Sequence, residues 1–300
     1  MKRVLVTGAT GFIGRQCLPL LKKRGFEICA ISSKKIITNA ENVHWIQLDL
    51  LNYRDFNPLL VDLKPTHLLH FAWMAEPGKY WTSKDNLAWL KTSIDLVQAF
   101  ALSGGKRAVF AGTCAEYDWT AQEFKEYATP CLPQTLYGTC KLALQLVLES
   151  LSKEMALSQS WGRIFHLYGP HEHAQRFVPA IINGLLQKKD IPCSHGEQIR
   201  DFLHVSDVAD AFACLLDSSV EGVVNIGSGQ AMTLKQVIHK IAEQLDGLDH
   251  VQFGALPAPK NDPAFLVPDT RRLQEELGWN PRFNLEQGLA DAISWWKTRI

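Results

Sequence analysis

The chain opens with Val4-Leu5-Val6-Thr7-Gly8-Ala9-Thr10-Gly11-Phe12-Ile13-Gly14. A short apolar run that breaks into three glycines and then into a helical pattern describes a strand turning into a helix around a phosphate. Gly8 supplies the tight turn, Gly11 lets the backbone approach a pyrophosphate with no side chain between, and Gly14 lets the helix pack close on the strand. The helix N-terminus adds unpaired N–H groups and a partial positive charge. Such a string also occurs as an ordinary turn, so its position carries weight. It follows the first strand of the chain, and the helix after it (Phe12, Ile13, Cys17, Leu18, Leu20, Leu21) stops at Gly25 before a second apolar run, completing a β-α-β unit.

Glu27 to Ile31, Val43 to Gln47, Thr66 to Phe71, Arg107 to Ala111 and Arg163 to Leu167 read as further strands. Helical patterns lie between most of them, notably Asn86 to Leu102, with Leu87, Leu90, Ile94, Leu96, Val97 and Phe100 on one stripe, and Tyr137 to Ala156. Strands alternating with helices predict an α/β fold with a parallel sheet covered on both faces, a Rossmann-type doubly wound arrangement. Past Tyr168-Gly169-Pro170 the pattern loosens into short elements punctuated by prolines. The expected division is a dinucleotide-binding domain over 1–168 and a smaller C-terminal α/β substrate lobe over 169–300, with segments within 199–230 rejoining the first domain. A last helix, Leu285 to Trp296, turns Leu289, Ile293 and Trp296 to one side and is expected to cap the small lobe.

With 31 basic and 31 acidic residues, the chain has no bulk charge to draw it to nucleic acid or to an anionic membrane, so an anion must be held by local geometry. The start, Met1-Lys2-Arg3 followed directly by a strand, offers no apolar stretch of signal-peptide or membrane-span length, which predicts a cytoplasmic protein. Seven scattered cysteines without a C-x-x-C pair read as reduced thiols. His171-Glu172-His173 lacks a third ligand nearby and reads as solvated loop rather than a metal site.

Two further stretches carry chemistry. Tyr137 and Lys141 stand at i and i+4, one turn apart on the face of the long helix. An ammonium beside a phenol favours phenolate and is expected to lower the tyrosine toward the working range of an acid or base. A tyrosine packed under a lysine stem is the plainer reading of the same pair. Phe110-Ala111-Gly112-Thr113-Cys114-Ala115-Glu116-Tyr117 follows an apolar strand, and residues at the carboxyl ends of parallel strands border the ligand crevice. Thr113 is thereby placed to hold a substrate oxygen.

Taken in order, the glycine loop, Thr113 and the Tyr137-x-x-x-Lys141 helix resemble the extended short-chain dehydrogenase/reductase group, and within it the nucleotide-sugar epimerases, dehydratases and ketosugar reductases. Arg163-Ile164-Phe165-His166-Leu167-Tyr168-Gly169-Pro170, Arg176-Phe177-Val178-Pro179, Arg200-Asp201-Phe202-Leu203-His204-Val205-Ser206-Asp207-Val208-Ala209, Asn225-Ile226-Gly227-Ser228-Gly229 and Leu277-Gly278-Trp279 resemble its later motifs. The resemblance implies Tyr137 as general acid/base, Lys141 as its electrostatic partner and ligand of the nicotinamide ribose, and Thr113 as the anchor of a substrate oxygen. It implies cofactor contacts from Gly8, Thr10, Gly11, Phe12, Ile13 and Gly14, and from Asp49 and Leu50 toward the adenine. It further implies a nucleotide-diphosphate sugar as substrate, with Arg200 and Arg176 facing the diphosphate, and a homodimer paired through the two long helices. Arg271 and Arg272 read as surface ion pairs. The loop from Trp73 to Trp81 should lie over the crevice, where Trp81 either faces the sugar or packs between lobes.

Departures from the family pattern narrow the reading. Dehydratases of the group carry an acidic pair immediately after the threonine, where this chain has Cys114 and Ala115; Glu116 comes one place late and, on an extended segment, would point to the opposite face. After the second strand, where an NAD enzyme presents an acid to the ribose 2′-hydroxyl, the chain has Ser32-Ser33-Lys34-Lys35. Two hydroxyls and a lysine in place of an acid favour NADP(H) over NAD(H), with Lys34 and Lys35 as plain solvated residues the alternative. The expectation is a ketoreductase of a nucleotide-linked 4-keto-6-deoxysugar, with a 4-epimerase that retains NAD as the second reading and a non-catalytic dinucleotide-binding protein as the third.

Overall fold

The structure, a computed structural model, describes residues 2–35, 43–258 and 262–299. The apolar runs and their punctuation produce β1 (Lys2–Thr7), α1 (Gly14–Lys23), β2 (Phe26–Ser32), β3 (Val43–Gln47), α2 (Asn57–Leu63), β4 (His67–His70), α3 (Asp85–Leu102), β5 (Arg107–Thr113), α4 (Leu136–Glu154) and β6 (Ser158–Ile164). The second part adds β7 (His166–Tyr168), α5 (Phe177–Leu186), β8 (Ile191–Pro192), β9 (Ile199–Arg200), β10 (Phe202–His204), α6 (Val205–Leu216) and β11 (Gly222–Ile226). It closes with β12 (Met232–Thr233), α7 (Leu234–Gln244), β13 (Val251–Gln252), β14 (Phe265–Leu266) and α8 (Leu285–Lys297).

Seven of these strands form one parallel sheet in the order β3-β2-β1-β4-β5-β6-β11. The chain runs outward from β1 to β3 and then crosses back to β4, so the order reverses between β1 and β4. That reversal opens a crevice at the carboxyl ends of the two strands. One face of the sheet is covered by α1 and α6, through Cys17, Leu21, Val208 and Phe212, and the other by α2, α3 and α4, through Leu60, Leu96, Leu144 and Leu148. With both faces buried, Val4, Leu5 and Val6 are fully inaccessible in succession, which is why β1 reads as a continuous apolar run rather than an alternating one. The sheet is the doubly wound α/β fold that the alternation predicts.

The expected strand from Arg163 to Leu167 is two strands. β6 begins five residues earlier, at Ser158, and ends at Ile164; β7 belongs to a separate pair with β10. Ser158, Gln159, Ser160, Trp161 and Gly162 hide the strand from a hydrophobicity reading because their polar atoms are answered inside. Arg107 donates to the hydroxyls of Ser158 at 2.6 Å and Ser160 at 2.9 Å, and Ser160 donates to the Val220 carbonyl at 2.6 Å. The chain then returns to the large sheet through α6 and β11, while α5, α7 and α8 pack on one another around Ile182, Val237, Ile241, Leu289 and Ile293. Trp279 joins this C-terminal region to α6, its indole donating to Asp210 at 3.0 Å.

Candidate active site

The glycine loop lies at the crevice. Gly8 has φ +65°, and a Cβ there would stand 2.8 Å from the Ala72 backbone nitrogen, so the turn excludes any side chain. At Gly14 a Cβ would lie 2.2 Å from the Gly8 carbonyl oxygen, which fixes how closely α1 seats on the turn. No side chain caps the N-terminus of α1, so the partial positive charge at that end meets no side-chain acceptor. Arg15 wraps the outside of the loop, donating to the Thr10 carbonyl at 2.6 Å and the Gly11 carbonyl at 3.2 Å, and meets His171 Nδ1 at 2.6 Å. Phe12 and Ile13 are half-buried at the turn into α1.

At the end of β2 the Ser32 hydroxyl is turned inward. It donates to the Lys34 carbonyl at 2.9 Å and accepts from the Lys34 N–H at 3.1 Å, which leaves Ser33, Lys34 and Lys35 exposed beyond it. Among the described residues here there is no carboxylate at the tip of β2. Asp49, at the end of β3, accepts from the Leu51 N–H at 3.1 Å and from the Asn52 amide at 2.7 Å, the local turn chemistry of an aspartate after a strand. Leu50 is buried in the adjoining core.

Tyr137, Lys141 and Thr113 converge on the next part of the crevice. α4 starts at Leu136 with Thr135 as N-cap, its hydroxyl accepting from the Gly138 N–H at 3.1 Å. Gly138 lets that first turn press on the strand end, since a Cβ would lie 2.4 Å from the Ala115 carbonyl oxygen. Lys141, one turn on, is buried and donates to the Ala111 carbonyl at 3.0 Å, with its ammonium 3.9 Å from the centre of the Trp73 ring. The Thr113 hydroxyl accepts from the Ala115 N–H at 3.2 Å and keeps its own proton to donate.

The expected lowering of the tyrosine is not found. Burial, then the Tyr80 phenol beside it, push the Tyr137 phenol well above its ordinary value, while the Thr113 hydroxyl opposes them in part. Burial also brings the Lys141 ammonium down from 10.5 to about 7, against the pull of the Glu116 carboxylate. Desolvation outweighs the helical neighbour because both groups leave water and the lysine spends its charge on a carbonyl and an aromatic face.

The aromatic loop does lie over this site. Tyr137 N–H donates to the Trp81 carbonyl at 3.1 Å. Around the Tyr137 ring stand Tyr80 at 4.9 Å, Trp81 at 5.8 Å and Trp73 at 6.5 Å, all close to perpendicular, and Trp119 meets Trp81 at 5.9 Å. Asn86, buried at the start of α3, anchors the loop by accepting from the Trp73 indole at 2.8 Å and donating to the Tyr80 carbonyl at 2.7 Å. Arg176 reaches the loop from the N-cap of α5, 5.1 Å from the Tyr80 ring centre and donating to the Ala75 carbonyl at 3.2 Å. Arg200 is buried and ion-paired with Asp262 at 2.5 Å. Arg271 pairs with Asp269 at the surface, whereas Arg272, expected there too, is half-buried, pairing with Glu276 at 2.7 Å and donating to the Glu221 carbonyl at 3.0 Å and to the Val223 carbonyl. The three residues of the His171 stretch diverge: His171 goes to Arg15, His173 accepts from the Gln175 N–H at 3.2 Å, and Glu172 is buried.

Glu116 also departs from expectation. Cys114–Glu116 is a single 3₁₀ turn rather than extended chain, so Glu116 folds back beneath Thr113 instead of pointing away. The sequence does not single out Trp119, brings in Tyr80 only within the Trp73 to Trp81 loop, and sets Glu116 aside as one place late. The Thr113-x-x-Glu116 spacing is that of a capping box, the sequence signal that could have marked the turn that brings Glu116 back.

A family model described as NAD dependent epimerase/dehydratase family matches residues 4–227. The chain is 27% identical to CDP-abequose synthase of Salmonella typhimurium, over 97% of each protein. UDP-N-acetylglucosamine 4-epimerase of Methanobrevibacter ruminantium M1, solved with UDP-N-acetylmuramic acid, superposes with a TM-score of 0.89 at 25% identity, covering 100% of this chain and 99% of that one. MoeE5, solved with UDP-glucuronic acid and NAD, gives 0.85 at 27% identity over 99% and 100%. Among the described residues no helix is long and apolar enough to cross a membrane.

Proposed function

The chain belongs to the NAD dependent epimerase/dehydratase family, and from that premise we propose that it uses NADPH to reduce carbon 4 of a nucleotide-linked 4-keto-6-deoxysugar, with Tyr137 as the acid. It is an enzyme of a group whose members are nucleotide-sugar epimerases, decarboxylases and dehydratases. The observation that carries the reading is the pair of missing acids. No carboxylate follows Thr113 at 114 and 115, where dehydration needs them, and among the described residues none stands at the tip of β2, where one would repel a 2′-phosphate.

The residues fit a dinucleotide. Gly8, Thr10, Gly11, Phe12, Ile13 and Gly14, with the uncapped start of α1, form the cradle for a pyrophosphate. Ser33 and Lys34 would hold the 2′-phosphate, while the expected contact from Ser32 is lost because its hydroxyl is buried and committed to the Lys34 backbone; Asp49 and Leu50 would meet the adenine, and Tyr137 and Lys141 the nicotinamide ribose. When bound, the cofactor supplies the hydride. Thr113 donates a hydrogen bond to the ketone oxygen, keeping its own proton, and sets its position. Tyr137, kept protonated by its buried setting, gives its proton to that oxygen as charge develops there, and the Lys141 ammonium stabilises the phenolate left behind. Arg176 and Arg200 would face the diphosphate, with Arg200 exchanging or sharing its Asp262 partner. Trp81 and its aromatic neighbours cover the sugar and exclude water.

A nucleotide-sugar 4-epimerase with retained NAD is the second reading, favoured by the NAD seen in MoeE5. Calorimetry with NADPH and NADH, on the wild type and on the Lys34→Ala/Lys35→Ala double variant, separates the two. The proposal expects tighter NADPH binding that the double variant loses. Tighter NADH, or purification with NAD held, favours the epimerase.

A further inference from the structure

Glu116 is a buried carboxylate that the proposed chemistry leaves unused. Its side chain is wholly inaccessible, yet every hydrogen bond it accepts comes from a named donor. One oxygen takes the Thr113 N–H at 2.8 Å, the other the Arg163 guanidinium at 2.6 Å, and the Trp161 indole lies 3.0 Å from both. The bond to Thr113 closes a reciprocal cap, in which the Thr113 side chain in turn receives backbone N–H groups of the 3₁₀ turn. The strand makes room for the indole only because residue 112 is glycine, where a Cβ would stand 2.0 Å from Trp161 Nε1. Arg163 is held on its other side by the Tyr117 ring, 4.4 Å away, and Tyr117 is tied to Asn225 at 2.8 Å. Truncating a carboxylate held this way strands buried donors, so the site is costly to alter and keeps one geometry.

We infer that Glu116 is a positioning residue: it fixes the Thr113 backbone, and hence its hydroxyl, and presents a fixed negative charge to Tyr137 and Lys141. This rests on the assignment of Thr113, Tyr137 and Lys141 as the working residues. The groups facing that pair are Tyr80 from the loop before α3, Thr113 and Cys114 at the end of β5, His70 from β4 and Glu116 itself. Among these, Glu116 alone brings a carboxylate. Arg163 is paired with Glu116, and Arg200 acts on Cys114. The carboxylate raises both Tyr137 and Lys141. Neutralising it lets both lose their protons at lower pH, and reduction needs both protonated.

The test is Glu116→Gln and Glu116→Asp, with turnover of whichever nucleotide-linked ketosugar the wild type reduces, and NADPH binding followed by fluorescence, each across pH. Glu116→Gln should lower kcat on the order of a hundredfold with KM little changed, and move the alkaline loss of both kcat and NADPH binding down by about one pH unit. Glu116→Asp, which keeps the charge but withdraws it from Thr113, should lower kcat roughly tenfold with that midpoint where the wild type has it. In a Thr113→Ala background, Glu116→Gln should cost far less, because the two act through one contact. Losses that only track the folded fraction by circular dichroism, with the pH profiles superimposed, would overturn the inference. If Glu116→Gln does not fold, Glu116→Asp decides, and a kcat within about twofold of wild type would overturn it. If the wild type reduces no ketosugar, the functional assignment fails while the binding titrations still judge Glu116.

Discussion

The Lys141 ammonium stands 3.9 Å from the centre of the Trp73 ring and donates to the Ala111 carbonyl at 3.0 Å, so the helical partner of Tyr137 is committed to the floor of the crevice. Its burial holds it at about 7 in the folded protein against 10.5 ordinarily. Between those values the unfolded chain binds a proton that the folded chain does not, and stability therefore rises with pH across that window. Below pH 7 the charged amine is buried at full cost. Lys141→Met removes that cost, so its melting temperature should exceed the wild type most below pH 7, the margin shrinking toward pH 10. Thermal scans across pH check this; a margin independent of pH would show that the lysine is not desolvated.

Tyr137→Phe keeps the ring that packs between Tyr80 and Trp81 and loses only the proton donor. Fold and cofactor affinity should stay near wild type while turnover falls by roughly two to four orders of magnitude. Steady-state kinetics beside a cofactor titration measure both, and near wild-type turnover would remove Tyr137 from the mechanism.

The sheet was legible because a strand buried on both faces writes itself as an uninterrupted apolar run, as Val4-Leu5-Val6 does. β6 was not, because Ser158, Ser160 and Trp161 satisfy their polar atoms through Arg107 and Glu116, partners distant in sequence. The residues at the strand ends and helix start were legible from spacing: Thr113, Tyr137 and Lys141 are brought together. Their protonation was not, since the i, i+4 spacing gives a neighbour's charge but not the desolvation that outweighs it. Glu116 was read on an extended segment, although the Thr113-x-x-Glu116 spacing is that of the capping box that closes a single 3₁₀ turn after β5.

α3 and α4 pack side by side against the sheet and leave Leu87, Leu146 and Val147 exposed. These helices are the expected pairing surface of a homodimer. Sedimentation at micromolar concentration should give twice the chain mass, and Leu146→Glu should shift it to the monomer; a wild-type monomer would remove the dimer.

Cys114 and Ala115 occupy the positions where a dehydratase needs acids, and Glu116 is locked beneath Thr113. An intact nucleotide-hexose should therefore give no 4-keto-6-deoxy product. Detection of that product by mass spectrometry would contradict the assignment of these positions.

The central claim is that Thr113, Tyr137 and Lys141 reduce a ketone at carbon 4 with NADPH. Incubating the protein with NADPH and a panel of nucleotide-linked 4-ketosugars, while following NADPH absorbance and the sugar product, tests it most directly. The account predicts loss of NADPH matched one for one by a 4-hydroxy product from at least one 4-keto-6-deoxysugar, and almost none with Tyr137→Phe. No oxidation with any of the panel, together with interconversion of two 4-epimers without added cofactor, would contradict it.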